Sequence, residues 1–107
     1  MSFEVLMTLS AKHDLEELHD FITRHDVPGK ADQVLDAVEE VMESLAQFPE
    51  RGAYPRELHA LGIKEFRETF FKPYRVIYRI AGQRVYILLI ADGRRDFQTL
   101  LKRRLLR

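Results

Sequence analysis

The chain has 107 residues, 46% hydrophobic and 32% charged, with no cysteine; this is the balance of a soluble globular chain of one domain over 1–107, and it excludes disulfides, thiolate metal sites and cysteine nucleophiles. The longest apolar run, Val85–Ala91, has seven residues, against the roughly 20 of a membrane helix, and Met-Ser-Phe-Glu-Val lacks a secretory opening, so a cytoplasmic protein with no membrane partner is expected. The zero net charge hides a split: residues 1–50 carry 3 basic and 12 acidic side chains and residues 51–107 carry 14 and 5, which predicts either a basic face with an anionic partner or two halves that neutralise each other on folding.

Phe3, Val5, Met7 and Leu9 alternate with Glu4, Leu6 and Thr8, the period of a half-buried strand. Ser10 is placed to cap the helix that follows, with Asp14 near its positive end. Leu15, Leu18 and Ile22 recur at helical spacing up to about His25, and Asp26-Val27-Pro28-Gly29 breaks the pattern. A second helix is predicted from Lys30 to Phe48, with an apolar stripe of Ala31, Val34, Val38, Val41, Leu45 and Phe48. Two helices joined this briefly form an antiparallel hairpin.

Pro49–Pro55 reads as a loop, Lys64–Phe71 as a weak strand, and Lys72-Pro73 as a break. In Tyr74–Ile80 the positions Tyr74, Val76, Tyr78 and Ile80 share one face, and Arg75, Ile77 and Arg79 the other. Arg84–Ala91 is nearly all apolar, as expected of a central strand covered on both sides. Asp96–Leu106 is predicted as a short helix held by Phe97, Leu100, Leu101 and Leu105, with Lys102, Arg103, Arg104 and Arg107 in water. The order βααβββ plus a last helix gives an α+β fold with a helical hairpin packed on an antiparallel-rich sheet.

The four histidines offer no metal site: His13, His19 and His25 are spaced by six, about 240° apart on a helix. No phosphate loop, nucleophile elbow or zinc-protease motif occurs, so no cofactor and no metal are expected. The arginines carry more. Arg75 and Arg79 share a strand face, and Arg94 and Arg95 follow the next strand. Converging guanidiniums would bind phosphate or a developing negative charge; the alternative is pairing with Glu65, Glu68 and Asp92 as surface salt bridges.

The element order, Leu45-Ala-Gln-Phe-Pro49-Glu-Arg-Gly52 followed by Glu57-Leu58, Tyr74-Arg75-Val76-Ile77-Tyr78, and Asp92-Gly93-Arg94-Arg95-Asp96 together resemble the RelE/ParE superfamily of bacterial type II toxin–antitoxin toxins, over almost the whole chain. The resemblance implies one of two activities: RelE-like, ribosome-dependent messenger RNA cleavage, or ParE-like poisoning of DNA gyrase, which blocks replication. For the endoribonuclease it implies Lys64, Arg67, Arg75 and Arg95 as the basic set. The position for the family's C-terminal Tyr or His holds Leu101, and neither residue type occurs after Tyr86. Lacking that group would cost on the order of 10²–10⁴ in rate, so the ParE-like activity, without catalysis, is favoured. On that reading Arg75, Arg79, Arg94, Arg95, Lys102, Arg103 and Arg104 contact the target. The resemblance also implies growth arrest, plasmid stabilization, and a cognate antitoxin that can assemble with the toxin as a heterotetramer.

Overall fold

In a computed structural model that describes residues 2–106, the elements run β1 (Glu4–Met7), α1 (Leu9–His25), α2 (Lys30–Ser44), α3 (Arg56–His59), β2 (Arg67–Phe71), β3 (Tyr74–Ala81), β4 (Arg84–Asp92) and α4 (Phe97–Leu105). The four strands form one sheet in the order β1-β4-β3-β2. β1 lies parallel to β4, and the other two pairs are antiparallel. The α+β class, the hairpin and the strand order after it agree with the sequence reading. Arg107 lies outside the described residues.

Several boundaries shift for local reasons. β1 stops at Met7 because Thr8 N–H makes the last rung to the Ile87 carbonyl. Thr8, not Ser10, then caps α1: its hydroxyl accepts from Ala11 N–H at 3.2 Å. Leu9 falls on the first turn of the helix, 83% exposed, rather than in the strand. Gly29 precedes α2 at φ +87°, a left-handed conformation that only glycine adopts cheaply. α2 ends at Ser44; Leu45, Ala46 and Gln47 N–H groups bond three residues back in tight turns, and the Ala46 carbonyl is taken by Phe3 N–H. Phe48, expected in the buried stripe, is exposed. The loop after Pro49 contains α3, whose four residues are too few to show a period. β2 starts at Arg67 rather than Lys64, where Glu68 N–H bonds the Ala53 carbonyl.

Each sheet face carries its own core. Val76, Tyr78, Val85, Ile87 and Ile90 pack against α1 and α2 through Leu15, Ile22, Val34, Val38, Met42 and Leu45. On the other face Ile77, Leu89 and Ala91 meet Leu58 of α3 and Phe97, Leu100 and Leu101 of α4. The apolar run of β4 is therefore the central strand that it was expected to be. Its register against β3 shifts between Ile77 and Tyr78, which pair with Leu89 and Ile87. Leu88 is the extra residue of this bulge, and the alternation resumes beyond it.

The loop before α3 is pinned to the sheet by Tyr78. Its hydroxyl donates to the Pro49 carbonyl at 2.6 Å and accepts from Gly52 N–H at 3.1 Å. A Cβ on Gly52 would collide with the Glu68 carbonyl and would sit 2.5 Å from the Tyr78 hydroxyl. Tyr78→Phe leaves a buried N–H and carbonyl unsatisfied, and Gly52→Ala forces the loop off β2. Each is expected to lower stability by about 1–3 kcal/mol, read from the urea midpoint. A midpoint unchanged in both variants would show that the loop is held elsewhere.

Candidate functional site

Arg75 projects from β3 on the α4 side of the sheet, opposite Ala91. Its Nη1 donates to Glu57 Oε2 at 2.7 Å, and its Nη2 to Glu57 Oε1 at 2.8 Å and Glu68 Oε2 at 2.5 Å. Glu57 comes from the single turn of α3, and Glu68 from β2 on the same sheet face. The guanidinium lies over the Phe97 ring, 3.9 Å from its centroid, a cation–π contact. Its Nε is buried without a partner, and the residue is only 8% exposed. A Cβ on Gly93 would come within 2.8 Å of Arg75 Cδ, so the bare glycine makes room for this side chain. Burial works against the Arg75 charge, but the hydrogen bonds to Glu57 and Glu68 outweigh it and raise its pKa. In return the Arg75 fork holds the Glu57 carboxyl below its ordinary value.

The other basic candidates have separate surroundings. Arg67 leaves β2 from the opposite face, paired with Tyr78 in the register. It donates to the Gly52 carbonyl at 2.8 Å and lies over the Tyr54 ring. Lys64 is exposed ahead of β2, and Arg79 is exposed four residues along β3. Arg94 grips Asp92 in a two-point contact, Nε to Oδ1 at 3.0 Å and Nη2 to Oδ2 at 2.7 Å. That contact is the first cause of the lowered Asp92 pKa. Arg95 is exposed in the turn after β4. Of the four arginines expected to converge, Arg75 and Arg94 are held by carboxylates, while Arg79 and Arg95 are exposed. Of the salt bridges named as the alternative, those of Glu68 and Asp92 form, and the Glu68 one is buried rather than superficial.

Arg104 departs from the reading that left it in water. It holds Asp14 of α1 through Nη1 at 2.9 Å and Nη2 at 3.0 Å, and reaches the Leu88 carbonyl at 3.0 Å. Asp14 also accepts from Ile90 N–H at 3.1 Å. It therefore faces β4 rather than serving the start of its helix. Lys102 and Arg103 are exposed on α4. Beside Asp14, a groove of about 620 Å³ runs between α1 and the end of β4, lined by Leu18, Phe21, Tyr74, Ile90 and Arg95 among others. Burial, then Asp92, raises the Tyr74 pKa there. Glu57 and Asp14 are the two residues that sequence reasoning gave no such role; both act across the fold, where no spacing in the chain points to them.

A family model described as the ParE toxin of the parDE type II toxin–antitoxin system matches residues 5–97. The chain belongs to the ParE toxin family. It is therefore the toxin of a type II toxin–antitoxin pair, of the RelE/ParE superfamily that the sequence resembles. Toxin ParE3 of Caulobacter vibrioides is 31% identical over 90 residues, covering 84% of this chain and 86% of that protein. The chromosomal ParDE system of P. aeruginosa contains a chain with the same fold, at a TM-score of 0.71 and 21% identity, over 85% of this chain and 96% of that one. A chain of the RelBE2 toxin–antitoxin complex of Mycobacterium tuberculosis is similar at a TM-score of 0.61 and 25% identity, over 86% and 92%. The family match ends at Phe97, so Lys102, Arg103 and Arg104 of this ParE toxin lie beyond it. No helix among the described residues is long and apolar enough to cross a membrane.

Proposed function

We propose that this ParE toxin acts on DNA gyrase, stabilising its cleaved complex with DNA so that replication stalls and growth stops. The observation that carries this reading is the carboxylate clamp on Arg75. The endoribonuclease reading places Arg75 in its basic set, yet both prongs of its fork are taken by Glu57, and Nη2 also by Glu68. Arg67 is turned to the other sheet face, and no Tyr or His follows Tyr86 to move a proton. Arg79, Arg94, Arg95, Lys102 and Arg103 are exposed and supply the contacts with gyrase–DNA on this reading, whereas Arg75 and Arg104 hold the fold. A cognate antitoxin encoded beside the toxin neutralises it, as a heterotetramer in the cytoplasm; the antitoxin is favoured by the similarity to a chain of the RelBE2 toxin–antitoxin complex.

Purified gyrase with supercoiled DNA, run beside a translating extract with messenger RNA, tests the choice. Accumulation of cleaved DNA with intact messenger RNA is expected. Ribosome-dependent cleavage that disappears in Arg95→Ala, with gyrase unaffected, would replace the gyrase reading with the endoribonuclease one.

A further inference from the structure

Next to the outer edge of β2, where Ala53 pairs with Glu68, three side chains form a stack. The Arg67 guanidinium lies over the Tyr54 ring, 4.8 Å from its centroid. The Tyr54 ring in turn stacks on His59, at 6.0 Å between centroids and 20° between planes. Both contacts have the geometry of attractive π interactions. The backbone holds the stack in place. Arg67 Nη1 donates to the Gly52 carbonyl at 2.8 Å and to the Glu50 carbonyl at 3.3 Å, and Nη2 to the Tyr54 hydroxyl at 3.4 Å. Gly52 is itself fastened to Tyr78.

Two aromatic rings are thus ordered at the surface, with Tyr54 38% exposed and His59 exposed on α3. Neither closes the core, which Leu58 and Phe66 complete on that side. The His59 imidazole forms no hydrogen bond or ion pair among the described residues. The surroundings are basic. Residues 51–67 carry four basic side chains and two acidic ones, and one of the acids, Glu57, is taken up by Arg75. Arg56 is exposed one helical turn before His59, on the same side of that turn.

We propose that this stack receives an unpaired base of the DNA that the toxin meets on gyrase. The base lies on the His59 ring, and its phosphate meets Arg56. The inference rests on the gyrase reading above and adds a nucleic-acid contact of its own to it. A base offers the flat face that an ordered imidazole selects, and its phosphate offers the charge that the basic rim attracts. An acidic peptide would answer the charge but has no need of the ordered rings. An intact duplex keeps its bases inside the helix, and drawing one out costs pairing and stacking. Bases beside a cleaved bond are the more easily unstacked, which ties the stack to the cleaved complex rather than to free DNA.

Fluorescence anisotropy with the full-length toxin tests this, using a labelled single-stranded deoxyoligonucleotide, its duplex, and an RNA strand of the same sequence. The single DNA strand is expected to bind more tightly than the duplex. His59→Ala is expected to weaken that binding about tenfold or more. His59→Phe should keep it, and Lys12→Ala, exposed on α1, should leave it unchanged. In the wild type the strand should move the His59 ring protons upfield, as a stacked base does. Equal affinity of His59→Ala and wild type, tighter binding of the duplex, or unmoved His59 protons overturns the site. An equal loss in Lys12→Ala overturns it too, because charge alone then explains the binding. Gyrase-dependent DNA cleavage that persists in any of these cases leaves the gyrase reading standing. A strand bound only as RNA overturns the assignment to DNA held by gyrase. Should His59→Ala not fold, the ring protons decide alone.

Discussion

Arg75→Ala should destabilise the toxin by about 3–5 kcal/mol, because it leaves two carboxyl groups facing each other in a place closed to water. The side chains of Glu57 and Glu68 are only 14% and 9% exposed, so neither can turn fully into solvent. A domain of this size has about 5–15 kcal/mol in total, and the variant should sit near the edge of folding at 37 °C. Arg75→Lys keeps the charge but not the fork, so it should recover only part of the loss. Changing all three residues to apolar ones of like volume should be close to neutral. Urea unfolding of the four proteins reads this directly. A loss below about 1 kcal/mol for Arg75→Ala would mean that the clamp behaves as a surface ion pair.

The same clamp sets an acid limit. Glu57 titrates below its ordinary value of 4.5 in the folded chain, first because of the Arg75 hydrogen bond. A carboxyl with a depressed folded pKa contributes stability that is complete above its unfolded value and disappears as pH falls through the folded one. The wild type should therefore lose stability below pH 4.5, and Glu57→Gln should show a shallower fall over that window. Parallel pH curves for the two proteins would remove Glu57 from the account.

Asp14→Ala should cost about 2–3 kcal/mol. One carboxylate accepts from both Arg104 nitrogens and from Ile90 N–H, so its removal strands a guanidinium and a backbone N–H together. The estimate is set below that of a fully closed pair because the two side chains are 15% and 19% exposed. Asp14→Asn retains an acceptor and should cost less. The check is the urea midpoint at unchanged denaturant slope, with faster hydrogen exchange at Ile90. A stable Asp14→Ala variant with a slow Ile90 amide would show that α4 and the bulge are held by packing alone.

What the sequence discloses here is what repeats along the chain. The period of two in Tyr74–Ile80 and of nearly four in α1 and α2 fixed the faces, and the faces fixed the two cores. The boundaries at Thr8, Ser44 and Arg67 depended instead on single hydrogen bonds to distant strands and turns, which no local pattern carries. The bulge at Leu88 was hidden because Val85–Ala91 is apolar at every position, so a slip of one residue leaves no trace in polarity. Arg75 was recognised as important, but its role was not: the carboxylates that hold it lie 18 and 7 residues away, on an unforeseen helical turn and on a strand whose pairing was unknown. Asp14 and Arg104, 90 positions apart, are joined only by the fold.

The parallel pairing of β1 with β4 imposes an order on synthesis. Glu4 finds its partner at Arg84, so the first strand made must wait for the last. Until β4 has left the ribosome, the helical hairpin has no complete floor to settle on, and closing so long a span is entropically slow. Among the described residues, β4 is the only strand that touches both β1 and β3. A nascent chain stopped just short of that strand can pair only β2 with β3, a two-stranded ribbon that is marginal alone, so the cell meets the finished toxin all at once rather than by degrees.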